Sequence, residues 1–408
     1  MTMERRTLLA SSAALATAAA TGTAHAAGET VDVKMDPWNQ PPEVLKKRYQ
    51  RLEKQDDEAR QHFTRGLAKV LGQDGQRKEA RDATMAFLEA HGEGGNKPTT
   101  KDMEECFTLM CKHPAYAART RLIRTNFHIH WDNPRRAFYR DYDKYMAAME
   151  ATDKAGPGSL ELNPSMAIPE YAKYEIHTQP GGYVGDPFAG WIYDYGHYSG
   201  TDALMDMGRA VSYAQAIRKP DDGRVMRILD IGCSMGHGTQ AIKERFPNAE
   251  VWGLDVGAPL VRYAHYRAVK RGMDIKYVQR LAEDTKFPDN YFDIVADCIM
   301  FHEVTPQAAK KIVAETHRIL RPGGVFHHAD IVTEGQPGFR APQSVTEKAG
   351  LFTNHRENIE PWWPMYTESN FPEIMKAAGF KVVSDHAPTT QGPDRRGGFP
   401  PLAGIKQA

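Results

Sequence analysis

The chain has 408 residues, with 52 basic and 52 acidic side chains and no formal net charge. That length suits two domains, and the balanced charge leaves no basic field of the kind that gathers nucleic acid. Charged residues at 25% and apolar residues at 41% are ordinary for a globular protein, and four cysteines, at 106, 111, 233 and 298, do not make a disulfide framework.

At the N-terminus, Arg5-Arg6 precede an uncharged run rich in Ala, Leu and Thr from Thr7 to Ala24. Ala24-His25-Ala26 then reads as a small-x-small cleavage site. This is the pattern of a secretory signal over 1–26, of twin-arginine type, too short and too weakly apolar to stay as a membrane span. It predicts export to the periplasm and a mature chain without a span; an unused signal would leave the protein in the cytoplasm.

Residues 27–200 read as a helical region. From 42 to 91, Leu45, Leu52, Phe63, Leu67, Val70 and Leu71 recur at helical spacing between dense charges. A loop is predicted over 92–98. Thr100 opens a further helix, with Glu104 and Glu105 in its first turns and Phe107, Met110 and Cys111 on its apolar face. Pro114 is expected to interrupt that helix, 119–130 to continue it, and 134–151 to form another. Such a layer caps a sheet, binds substrate or forms a homodimer. His128 and His130 share a face only on a strand, so no metal site is predicted. From Tyr174 to Tyr198, glycine, proline and aromatic residues are too dense for a regular element. So many rings are expected to fold over something apolar, either the protein's own core or a bound ligand as a lid. A helix is predicted from Thr201 to Ile217.

The second half of the chain carries the chemistry. Ile228-Leu229-Asp230-Ile231-Gly232-Cys233-Ser234-Met235-Gly236 is an apolar run, an acid and a glycine-rich turn. Twenty-five positions after Asp230, Val251-Trp252-Gly253-Leu254-Asp255 ends on a second acid. In a doubly wound sheet the glycines let the backbone approach a nucleoside, and the second carboxylate takes both ribose hydroxyls. Asp230, at the buried end of a parallel strand, is costly unless it binds something. An NAD-dependent dehydrogenase uses similar parts, but Ser234 breaks its glycine pattern. A dehydrogenase also has no role for the later turn Leu320-Arg321-Pro322-Gly323-Gly324.

Further on come Ala282-Glu283-Asp284, the run Phe292-Asp293-Ile294-Val295 and His302-Glu303. The set, in this order over about 201–385, resembles the class I S-adenosylmethionine-dependent methyltransferases. The resemblance implies an α/β, doubly wound, Rossmann-like seven-stranded sheet over 201–408, with the N-terminal helices as an extension, and S-adenosylmethionine as cofactor. It implies that Asp230, Gly232, Ser234 and Gly236 wrap the methionine half and that Asp255 holds the ribose. Leu281 stands where relatives often have an aspartate, which leaves Glu283 or Asp284 for the adenine. Asp297 and Cys298 are expected beside the sulfonium, and His302 and Glu303 facing the substrate.

An oxygen or nitrogen acceptor often needs a proton removed, and His302, Glu303 and His177 are the candidates, with Tyr183 beside them in the lid. Glu360-Pro361-Trp362-Trp363-Pro364-Met365-Tyr366 would wall the pocket together with 174–198. A chamber of rings predicts a small, largely apolar or aromatic substrate. The alternative is a protein that binds the cofactor without transferring its methyl group, as a rearrangement enzyme or a carrier. A strand is predicted to end at Val383, then a loop over 391–401, then an antiparallel edge strand, Leu402–Lys406.

Overall fold

Apolar runs that end in acids become the parallel strands of one sheet. The computed structural model describes residues 30–35, 51–72, 74–90, 103–200, 203–339, 341, 345–383 and 401–407. The signal segment, the 92–98 loop, the Thr100 helix start and the tail from 391 to 400 lie outside the described residues.

The strands are β1 (Ser159–Glu161), β2 (Arg227–Ile231), β3 (Glu250–Asp255), β4 (Lys276–Gln279), β5 (Phe292–Cys298), β6 (Leu320–Ala329), β7 (Phe380–Val383) and β8 (Leu402–Lys406). Their order across the sheet is β1-β4-β3-β2-β5-β6-β8-β7, parallel from β1 to β6 and antiparallel where β8 meets β6 and β7. The chain winds outward from β2 through β3 and β4, then returns to add β5 on the other side. That reversal opens a crevice at the carboxyl ends of β2 and β5, where doubly wound sheets bind ligands.

Alternate residues of β2 face opposite cores. Leu229 and Ile231 join Leu254, Val295, Phe326 and Phe371 in one, and Ile228 joins Tyr213, Ile242, Val251, Val261 and Ile294 in the other.

Two expectations about the sheet need correcting. It has eight strands rather than seven, because Ser159–Glu161 pairs with the outer edge at Lys276–Val278. Strand Leu402–Lys406 is antiparallel as expected but does not lie at the edge. It inserts between β6 and β7 and leaves β7 outermost.

Helices α1 (Gln55–Gly72), α2 (Asp74–Ala90), α3 (Met103–Met110), α4 (Pro114–Arg140) and α5 (Tyr142–Glu150) form the N-terminal layer. The helix expected to break at Pro114 does end before it, at Met110, and Pro114 starts the next one. At the first helical position the missing N–H has no intrahelical partner to lose, and proline's fixed φ already suits the helix. The same helix runs through Pro134, held by burial of Trp131, Asn133, Ala137 and Phe138 on both sides of it.

The ring-rich segment also departs from expectation. Its second part is a regular helix, α6 (Ala189–Gly200). The glycines that suggested a loop are contact points: a Cβ on Gly190 would strike Tyr263, and one on Gly196 would strike Trp131. Phe188, Trp191, Ile192 and Tyr195 pack into a core shared with Trp131, Phe138, Tyr145, Met235 and Tyr263. The helical layer and the sheet domain thus meet through this segment. None of the helices among the described residues is long and apolar enough to cross a membrane.

After β2, the turn leads into α8 (His237–Arg245), following α7 (Ala203–Ala216). Gly236 sits at φ +81°, and a Cβ there would come 2.5 Å from the Tyr277 hydroxyl and 2.9 Å from Ala264 Cβ. Its glycine is therefore required by packing under the loop. Gly236→Ala is expected to destabilise the fold by about 2 kcal/mol or more, from left-handed strain and overpacking together. Urea denaturation measures this, and an unchanged midpoint would contradict it.

Candidate active site

A cavity of about 340 Å³ opens at the carboxyl ends of β2, β3 and β5. Asp230, Gly232, Ser234 and Asp255 line one part of it, and His177, Tyr183, His302, Glu303, Glu360 and Trp363 another. The sites expected from the glycine loop and from the lid therefore form a single chamber.

In the loop part, Asp230 is buried and accepts hydrogen bonds from the Tyr213 hydroxyl at 2.9 Å and the Thr239 hydroxyl at 2.6 Å. Asp255 accepts the Ser234 N–H at 2.9 Å and the Gly257 N–H at 2.8 Å. The ribose candidate thus also ties down the turn. Gly232, at φ +66°, faces Met300: an added Cβ would come 2.7 Å from that side chain, which itself lines the cavity. Burial pushes the Asp230 carboxyl up to about 7 and the Asp255 carboxyl up to about 6. Neighbouring carboxylates add to the shifts, Asp297 and Asp255 acting on the first and Glu303 on the second.

His237, which follows Gly236, also lines the cavity. Its Nε2 lies 2.7 Å from an oxygen of the fully buried Asp194 on α6, whose other oxygen accepts the Tyr263 hydroxyl at 2.5 Å. The lid helix is thereby fastened to the start of α8.

The remaining predicted cofactor residues divide. Cys298 lines the cavity, whereas Asp297 lies fully buried outside its lining, 2.9 Å from His328 Nδ1. His328 Nε2 in turn lies 2.9 Å from the Tyr366 hydroxyl. Glu283 is held by the Tyr171 hydroxyl, 2.8 and 2.9 Å from its two oxygens, and Tyr171 and Ala282 take the lining positions there. Asp284 is exposed, pairs with Lys286 and stands away from the cavity.

In the lid part, His302 sits on a short turn, Phe301–Glu303, directly after β5. Its Nδ1 lies 2.7 Å from Asp330, a residue that also accepts the Phe301 N–H at 2.9 Å. Burial alone would depress this imidazole, but Asp330 and Glu303 hold it up at about 9. His177 lies 3.1 Å from Glu360 and 3.6 Å from Glu303. Burial again acts downward there, and the two glutamates raise it to about 10. His177 and Thr178 both adopt φ of 59°, a strained backbone of the kind that collects at ligand sites. Glu360 is 2% exposed, and its Oε2 has no hydrogen-bond partner among the described residues. Tyr183 packs edge-on to Tyr193 at 5.2 Å, and burial raises its hydroxyl well above the usual range.

Residues 228–324, spanning this loop and the turn after it, match the methyltransferase-domain family. A Synechocystis protein named as an uncharacterized methyltransferase is 30% identical over 160 residues, 39% of this chain and 69% of that protein. The chain belongs to the class I S-adenosylmethionine-dependent methyltransferases. Two further relatives match over shorter spans. The Thermus thermophilus demethylmenaquinone methyltransferase is 35% identical over 24% of this chain and 44% of its own length. A Burkholderia cenocepacia ubiquinone/menaquinone biosynthesis C-methyltransferase is 32% identical over 31% of this chain and 53% of its own. The chain thus spans about half the length of these last two.

The methyltransferase assignment explains the two raised carboxyls. Acids gathered in a buried cavity are costly as anions, and S-adenosylmethionine brings a sulfonium and an ammonium. A cation among these acids favours their ionised forms. Cofactor binding is therefore expected to release protons, and affinity to rise as pH climbs from about 5 to 8. Calorimetry in buffers of different ionisation enthalpy reads the release directly, and a heat independent of buffer near pH 6 would contradict it.

Sequence reasoning missed Asp330, Tyr171, Tyr213 and His237. The first three lie away along the chain from the groups they hold, but His237 carried a local signal: an imidazole at the mouth of the glycine loop.

Proposed function

We propose that this methyltransferase acts on a small, largely apolar or aromatic molecule held between the lid and the sheet. The observation that carries the proposal is the lining: Tyr183, Tyr193 and Trp363 pack beside a compact group of His177, His302, Glu303 and Glu360. Ring walls with a few placed polar groups are the usual composition of small-molecule pockets. The Thermus and Burkholderia relatives, named for demethylmenaquinone and for ubiquinone and menaquinone biosynthesis, support a small-molecule acceptor.

S-adenosylmethionine supplies an electrophilic methyl carbon on a positively charged sulfur. The chain orients the acceptor and keeps water away from it. The polar group handles the acceptor's proton. His177 and His302, raised to about 10 and about 9, are cations at neutral pH and therefore donors rather than bases. The base falls to a carboxylate, and Glu360, with one buried oxygen unpartnered, is placed to accept an O–H or N–H. The expectation that His302 or His177 removes the proton is revised on this ground.

A retention experiment tests the proposal. A cell extract is passed over immobilised protein saturated with S-adenosylhomocysteine, and the retained compounds are identified by mass spectrometry. A small ring-bearing apolar compound is expected; retention of peptides or nucleic acid alone would overturn the proposal.

A further inference from the structure

We propose that His177 and His302 hold an oxygen of the acceptor between their two Nε2–H groups, so that the substrate is a hydroxylated ring and not a ring amine. This rests on the reading of the chamber as a small-molecule site and names the group the site recognises.

The two donors come from different parts of the fold. His177 stands on the lid turn Ile176–Thr178, and His302 on the turn Phe301–Glu303 after β5. The His177 N–H donates to the Asn358 carbonyl at 2.7 Å, which fixes the lid side. Each ring has its Nδ1 engaged: that of His302 faces Asp330 at 2.7 Å, and that of His177 faces Glu360 at 3.1 Å. Both Nε2 atoms face one shared atom, Glu303 Oε1, at 3.6 Å from His177 and 4.0 Å from His302. Those distances fall outside hydrogen-bond range. They suit an interposed oxygen, set to one side at about 2.8 Å from its neighbours.

Oxygen fits that position better than nitrogen. Flanking carboxylates keep both imidazoles protonated at neutral pH, so each Nε2 carries a hydrogen to donate. A hydroxyl oxygen has two lone pairs for two donors, and its own hydrogen can turn towards the glutamates. The lone pair of a ring amine is drawn into the ring, so its hydrogens meet both donors head-on. Two further atoms of the chamber lining, the Tyr183 hydroxyl and Glu360 Oε2, are buried without a hydrogen-bond partner among the described residues. Buried polar atoms are rarely left so, and a polar group on the ligand would satisfy them.

The test uses two probes of matching shape, 4-nitrophenol and 4-nitroaniline, titrated by calorimetry into the full chain saturated with S-adenosylhomocysteine. Wild type is expected to bind the phenol at least about tenfold more tightly than the aniline. His177→Ala is expected to remove most of that preference by weakening the phenol while leaving the aniline unchanged. His177→Gln, which keeps an N–H donor, is expected to fall between. Equal affinity for the two probes in wild type, or a preference that survives in His177→Ala, would overturn the clamp alone. A parallel loss of the aniline in His177→Ala would overturn it too, since that marks a change of the whole pocket. Binding of neither probe to wild type would overturn the small-ring reading along with the clamp.

Discussion

Replacing Asp255 with alanine is expected to weaken S-adenosylhomocysteine binding roughly tenfold to a hundredfold, the worth of one or two hydrogen bonds to a charged group. The carboxylate ends β3 and is 8% exposed. It accepts the Ser234 and Gly257 N–H groups, so its loss frees the glycine turn as well as the ribose site. Asp255→Asn keeps one carbonyl oxygen and is expected to lose less. Calorimetry measures both variants, with a circular-dichroism melt to confirm that each is folded. An alanine variant that binds as the wild type would remove Asp255 from the cofactor site.

The second large effect concerns the acceptor's proton. Glu360→Gln is expected to lower turnover by about 10²- to 10⁴-fold, the usual worth of a positioned general base. Glu360 lines the lid part of the cavity and touches no residue of the glycine loop in any hydrogen bond described above, so S-adenosylhomocysteine affinity is expected to stay close to wild type. Equal losses in turnover and in cofactor affinity would show that Glu360 shapes the pocket rather than moving a proton. Unchanged turnover would exclude it as the base and return that role to Glu303, which lies 3.6 Å from His177 and 4.0 Å from His302.

The sheet domain was legible because its signals are local. Ile228 to Gly236 and Val251 to Asp255 each hold an apolar strand and its terminal acid within a few residues, and the structure brings both acids to one cavity. What escaped depends on partners distant in the chain. The ring-rich segment holds a helix because Gly190 and Gly196 let Tyr263 and Trp131 pack against it, and nothing near 190 announces those rings. Strand β1 has three residues and exists through its pairing with β4. Leu402–Lys406 follows β7 in sequence but slots between β7 and β6, a choice made by tertiary packing. In the site, His302 and Glu303 stood out as a pair. Asp330, which holds His302, lies 28 residues on, and Glu360, which holds His177, stands in the sequence only as the first residue of the ring-rich wall segment. The adenine expectation failed for Asp284 because it faces solvent beside Lys286.

The most direct measurement is transfer of a labelled methyl group. Purified protein is incubated with methyl-labelled S-adenosylmethionine and a cell extract, and the label is followed by mass and by partition into organic solvent. The account predicts label in a small, apolar product, an equal amount of S-adenosylhomocysteine formed, and loss of both in Asp255→Ala. Label that stays on the cofactor would favour a protein that binds it without transferring the methyl group, and label on protein or nucleic acid would contradict the pocket's reading as a small-molecule site.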